Sequence, residues 1–194
     1  ERSEILLREA IVGAQELEIW ADKGSALALL SSVLRSTGRA NEAYETCLEA
    51  IEIHRDVKNT RGAARAWNHL GILHHEAGRL SDALEAYETA ISMAESAGDH
   101  TTEEMARINV GYSLVKLGEL EKAMSTYRTA LHEILQQGHR RNEAALLVNL
   151  GHVQMLMGDF GPSEHSLRRS IRLSKRNGDP GRLADGLLTM ATSF

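Results

Sequence analysis

Two asparagines, Asn109 and Asn149, stand forty residues apart. A carboxamide carries two donor hydrogens and an acceptor oxygen, so it can hold a peptide backbone whatever side chains that peptide bears. It can equally bond a neighbouring element of its own chain. Imidazoles form a second set: His69, His74 and His75 lie close in sequence, and His152 follows further on. Zinc needs ligands that converge, commonly four residues apart on a helix. His74 and His75 point apart on a helix, so packing or hydrogen bonding is expected of them and no metal site is. The adjacent acids Glu103 and Glu104 diverge in the same way. There is no glycine-rich phosphate loop, nucleophile elbow or zinc signature, so the sequence predicts no enzyme, no catalytic residue and no cofactor.

The elements that would position these residues repeat. Gly38, Gly78, Gly118 and Gly158 recur at a period of 40. Seven residues before them run Ser31, Gly71, Gly111, Gly151 and, in the same register, Ala191. Five residues after them run Ala43, Ala83, Ala123 and Ser163, and twelve after them Ala50, Ala90, Ala130 and Ser170. Small residues at fixed places mean one local structure stacked on copies of itself. In residues 64–103, Trp67, Leu70, Gly71 and His74 fall at helical spacing. Gly78 ends that helix, because glycine accepts the left-handed backbone of a C-terminal cap. A second helix carries Leu80, Ala83, Leu84, Tyr87, Ala90, Ile91 and Ala94 on one side, and Gly98 ends it; Gly138 and Gly178 do so in the next two copies. Each unit is a helical hairpin. The small residues let helices approach closely, Gly71 and Ala83 within a hairpin and Ala90 between hairpins.

Four full units are expected at 24–63, 64–103, 104–143 and 144–183. A half unit precedes them at 1–23, with Leu7 and Ala10 on a lone second helix. Another follows at 184–194, with Leu187, Met190 and Ala191 on a lone first helix. The whole of 1–194 reads as one array and as part of a larger protein. Its uncapped ends, near Leu7, Leu187 and Met190, offer apolar faces that can pair in self-association or meet further repeats.

Composition sets outer limits. The 194 residues are 42% hydrophobic and 25% charged but only 4% aromatic, with two prolines, which favours an all-helical chain. No apolar run reaches the roughly 18 residues of a bilayer span, and no secretory leader is visible. A net charge of −5 disfavours nucleic acid as a direct partner. The local exception, Arg168, Arg169, Arg172, Lys175 and Arg176, reads as a solvated helix flank, with a site for an acidic partner as the alternative. The single cysteine, Cys47, excludes an internal disulfide. It shares a column with Leu7, Tyr87, Tyr127 and Leu167 and is expected in the core of a cytoplasmic protein.

The run Trp67-x-x-Leu70-Gly71-x-x-His74, followed by Gly78, Ala83, Tyr87 and Ala90, resembles the tetratricopeptide repeat. Two features depart from it: the period is 40 rather than 34, and the proline usual near the end of the second helix is replaced by Arg55, Glu95, Leu135 and Lys175. The triplets His69-Leu70-Gly71, Asn109-Val110-Gly111 and Asn149-Leu150-Gly151 are similar to two forty-residue groups. One holds kinesin light chains and spindle-orientation adaptors; the other is the solenoid arm of large bacterial regulators, favoured by the arginine bias and the Gly98-Asp99 and Gly178-Asp179 turns.

The resemblance implies an all-α, right-handed superhelical solenoid of antiparallel hairpins whose first helices line a concave face. Carried onto this sequence, the inward positions include Arg35 from the first unit and Arg65, Asn68, His69, Ile72 and His75 from the second. Met105, Asn109 and Tyr112 come from the third, and Asn149, His152 and Met155 from the fourth. Asn109 and Asn149 are the expected peptide contacts, with bonding to the neighbouring hairpin as the alternative. Ala28 and Asn68 occupy places where the chaperone-tail clamp needs lysine, so that clamp is not expected. The function that follows is a protein or peptide scaffold, a regulatory arm of a multidomain protein, with flanking domains of the same chain as further candidate partners. The alternative is an arm that senses a small effector in a bacterial regulator or signal-transduction ATPase, through Arg65, His69, Asn109 and His152.

Overall fold

The computed structural model describes residues 2–137 and 142–192. They form ten α-helices and, among the described residues, no strand: α1 (Arg2–Glu16), α2 (Trp20–Ser36), α3 (Ala40–Asp56), α4 (Thr60–Glu76), α5 (Leu80–Ala97), α6 (His100–Lys116), α7 (Leu120–Gln137), α8 (Glu143–Leu156), α9 (Phe160–Asn177) and α10 (Pro180–Ala191). The chain divides into two compact units, Glu1–Asn109 and Val110–Phe194, with the boundary inside α6. In the first unit α1 packs on α2, α2 on α3, α3 on α4 and α4 on α5, and α2 also touches α4. In the second, α7 packs on α8, α8 on α9 and α9 on α10, and α8 touches α10. First helices of successive hairpins are therefore neighbours in both units.

Hairpins close where a missing side chain on the first helix admits a large one from the second. A Cβ added at Gly71 would lie 2.5 Å from Cδ1 of Tyr87, one at Gly111 2.8 Å from the Tyr127 hydroxyl, and one at Gly151 2.7 Å from Cγ of Leu167. Tyr87, Tyr127 and Leu167 are buried. The first hairpin makes the opposite exchange. Ser31 replaces the glycine and donates to the Ala43 carbonyl at 2.7 Å, while the smaller Cys47 replaces the ring and donates to Ala66 O at 3.3 Å. Cys47 is wholly buried, and desolvation pushes its thiol up to about 12. In the last hairpin the small column turns from alanine to serine, and each hydroxyl finds a carbonyl: Ser163 on Gly151 at 2.7 Å and Ser170 on Ala144 at 2.8 Å. Those bonds remove the cost of burying an unpaired hydroxyl.

The turn glycines that need it take positive φ, 76° at Gly78 and 60° at Gly98. In the turns before Gly98, Glu18 and Lys58 hold the same register without being glycine, at φ 57° and 54°. Gly138 lies outside the described residues, as does the end of the last expected half unit at Phe194. Asp99 and Asp179 follow the turns Gly98 and Gly178 and start the next helices: Asp179 accepts from Arg182 N at 3.0 Å, and Asp99 accepts the Thr102 hydroxyl at 2.8 Å. Within the basic run of α9, Arg169 does more than face solvent, because it bridges to the buried Glu143 of α8 at 2.5 Å. No helix among the described residues is long and apolar enough to cross a membrane.

Candidate functional site

The positions expected to face inward lie on first helices, and each unit builds a cleft on its own first helices. In the first unit α2, α4 and the start of α6 enclose about 380 Å³. Arg65, Asn68, His69 and Met105 line it, with Ser25, Ala28 and Leu29 from α2. Arg35, His69 and Ile72 meet in a shallow depression of about 20 Å³ beside Ser31 and Leu73. In the second unit Tyr112, Asn149 and His152 line a cleft of about 380 Å³ with Ala145 and Val148 of α8 and Arg182, Asp185 and Leu188 of α10. His75, Asn109 and Met155 fall outside the linings of these three cavities.

The two register-equivalent asparagines make different bonds. Asn109 Nδ2 donates to Oδ1 of the buried Asn68 at 2.9 Å, which ties α6 to α4 of the preceding hairpin. Asn149 is 5% exposed, and its Nδ2 has no hydrogen-bond partner among the described residues. A buried amide donor without a partner costs about 1–3 kcal/mol, so Asn149 holds a donor in reserve on the wall of the second cleft. Beside it Tyr112 is 45% exposed and meets Tyr127 edge-on, ring centroids 6.3 Å apart.

In the first cleft the polar groups are arranged in layers. Asp99, on the turn before α6, accepts Arg65 Nε at 3.1 Å. Burial alone would raise its carboxyl, but the Thr102 hydroxyl and amide together with Arg65 bring it below the ordinary range. Arg61 Nη2 donates to Ala97 O at 3.2 Å. His69 Nδ1 lies 3.2 Å from the Ala28 carbonyl, which can only accept, so the proton sits on Nδ1 and Nε2 is the acceptor of the neutral ring. Burial, and to a lesser degree the charge of Arg35, hold His69 below its ordinary pKa against the pull of that carbonyl.

The inward positions leave out one lining residue that matters. His54, on the second helix α3, is 1% exposed and reaches the cleft from behind. Its ring lies in a slot cut by two glycines. A Cβ at Gly24 would stand 2.9 Å from Cε1, and one at Gly62 2.5 Å from Nδ1. Asn59 caps α4 by accepting from Gly62 N at 3.0 Å, which fixes its amide so that Nδ2 faces His54 Nδ1 at 3.2 Å. Asn59, Arg61, Thr101 and Thr102 complete that wall. No group of three or more metal-ligating side chains occurs among the described residues.

The sequence matches the tetratricopeptide repeat over residues 22–96 and again over 106–131, together more than half of the chain. Residues 133–191 match the anaphase-promoting complex subunit 5 family. No curated protein matches the sequence. Solved structures with the same fold include aspartyl phosphate phosphatase F from Bacillus subtilis, with TM-score 0.82 at 12% identity over 90% of this chain and 46% of that one. BtubC (BKLC) from P. vanneervenii aligns with TM-score 0.84 at 17% identity over 100% of this chain and 82% of that one. The Rap conjugation gene regulator of the plasmid pLS20, in complex with a peptide, aligns with TM-score 0.69 at 16% identity over 91% and 55%. At such identities the likeness is one of fold. The chain spans about half the length of the phosphatase and of the plasmid regulator.

Proposed function

Because the chain belongs to the tetratricopeptide-repeat family, we propose that it is a protein-interaction scaffold that receives a peptide or helix on its first-helix faces. The observation that supports this most is Asn149. Its buried Nδ2 lacks an acceptor among the described residues and stands on a cleft wall beside an exposed tyrosine. A peptide carbonyl is an acceptor of the right kind, and Tyr112 and Val148 supply apolar area around it. Asn109 serves differently in this reading, by holding Asn68 and the register between hairpins. Residues 1–194 act as one array with the repeat bounds given above, in the cytoplasm, as the regulatory arm of a longer protein. The solved plasmid regulator of this fold was captured with a peptide, and this chain corresponds to part of its length. Flanking domains, or a second copy meeting the apolar ends of α1 and α10, are further partners of the same scaffold.

Peptides selected from a random library on the immobilised chain test the proposal. Asn149→Ala is expected to weaken the selected peptides by roughly tenfold, the loss of one desolvated hydrogen bond. Asn109→Ala is expected to weaken them less. Unchanged affinity of every selected peptide for Asn149→Ala would refute the role of that side chain.

A further inference from the structure

The first unit's cleft holds a donor that the protein does not use. His54 Nδ1 faces Asn59 Nδ2, which can only donate, so Nδ1 accepts and the neutral ring carries its proton on Nε2. Burial, reinforced by the charge of Arg65, keeps the ring neutral around pH 7. Nε2–H has no partner among the described residues, and the ring lines the cleft. Two helical glycines, Gly24 and Gly62, make the room for it, and each costs about 0.5–1 kcal/mol of helix stability relative to alanine. The same column in the other units holds Ala14, Ala94, Ile134 and Ser174, none of which brings a ring to this wall.

Charge narrows the ligand. Arg61 and Arg65 line the cleft and no carboxylate does. Asp99 engages Arg65 through Nε, which leaves the terminal guanidinium nitrogens as donors. Ala28, Leu29 and Met105 cover the remaining wall with apolar surface. We infer that this cleft binds a carboxylate carried on a short apolar stem, its oxygens on His54 Nε2–H and the Arg65 guanidinium and its stem against Leu29 and Met105. Two oxygens match one imidazole donor and one guanidinium edge, the arrangement that arginine favours for carboxylates. A volume of about 380 Å³ accommodates a glutamate side chain or a free aliphatic acid of similar size. The inference rests on the first-helix face being the working surface and names the group that the first unit takes.

The test is a titration followed by the His54 ring and Met105 methyl NMR signals. The probes are butyrate, butyramide, inorganic phosphate, and acetyl-Ala-Glu-Ala-amide against its Gln counterpart. Butyrate and the Glu peptide are expected to shift both signals, and each neutral isostere to bind at least about tenfold more weakly, since charge-assisted bonds are about twice as strong as neutral ones. Arg65→Gln, at an exposed side chain, is expected to weaken butyrate by a similar factor without unfolding the chain. A Glu peptide that binds more tightly than butyrate assigns the site to an acidic side chain of a partner; butyrate binding as tightly or more tightly assigns it to a free acid. Equal binding of butyramide, or of phosphate, overturns the carboxylate class while the peptide reading stands on the separate Asn149 amide signal. If no probe shifts His54, the site itself is overturned.

Discussion

Gly62→Ala probes the slot on which the first cleft depends. Glycine to alanine in a helix ordinarily stabilises, by about 0.5–1 kcal/mol. Here the new methyl would stand 2.5 Å from Nδ1 and 2.7 Å from Nε2 of His54. A side chain at the end of a free arm would swing away, but this ring is 1% exposed, bonded to Asn59, and closed on its other side by the Gly24 backbone. Overpacking of that kind costs about 1–3 kcal/mol, so the net expectation is a loss of roughly 1–2 kcal/mol. Removal of the ring reverses the sign: in a His54→Ala background, Gly62→Ala meets open space and recovers its propensity gain of about 0.5–1 kcal/mol. The double-mutant coupling is then about 2 kcal/mol, well above the few tenths expected of independent sites. Urea unfolding of the four chains, followed by far-ultraviolet circular dichroism, measures it. Additive effects, or a wild-type background that Gly62→Ala stabilises, would refute the wedged ring and with it the donor proposed for the cleft.

The two asparagines should separate by stability as well as by binding. Asn109→Ala strips the buried Asn68 of its partner and is expected to cost about 1–3 kcal/mol, whereas Asn149→Ala removes an unpaired buried donor and is expected to leave stability unchanged or raise it by up to about 1 kcal/mol; urea midpoints that fall equally would contradict the assignment. Cys47, buried and with its thiol pushed up to about 12, is expected to resist a thiol-reactive disulfide reagent in the folded protein and to react only after unfolding, so immediate native-state labelling would count against the packing. Burial holds His54, His69 and His74 below their ordinary value of 6.5. As pH falls through 6.5 the unfolded chain takes up protons first, so stability is full above that pH and declines below it as the folded-state values are approached. The urea midpoint at about pH 5.5 is expected below that at about pH 7.5, and a midpoint that holds or rises on acidification would be inconsistent with neutral buried rings.

The hairpins were legible because their packing rule is written in residue size at fixed spacing. A glycine opposite Tyr87, Tyr127 or Leu167 cannot be exchanged for anything larger, so the column survives in the sequence as a period. The period alone did not say which face lines a cleft: that came from the family resemblance, and of the positions it implies Arg65, Asn68, His69 and Met105 line one cleft and Tyr112, Asn149 and His152 another. The bonds were not. Asn109 and Asn149 occupy the same register, yet only Asn109 has an asparagine forty-one residues behind it to accept its proton. Register fixes where a side chain sits, while its partner depends on the neighbouring copy, and the copies differ.

His54 shows where periodic reading stops. It breaks a column of small and aliphatic residues, Ala14, Ala94, Ile134 and Ser174, and so looks like a substitution in the core rather than part of a site. The signal was present in a second place. Gly24 and Gly62 are glycines with no glycine forty residues on, where Ala64 and Thr102 stand. Neither takes positive φ, so neither is there for a turn. A helical glycine that no turn requires marks something large coming close. Two such glycines thirty-eight residues apart flank one hairpin, and the ring that both of them face, in that hairpin's second helix, is His54. The departures from a repeat, taken jointly, locate the chemistry that the repeat itself cannot supply: they admit one imidazole through the back of a scaffold otherwise built from interchangeable parts.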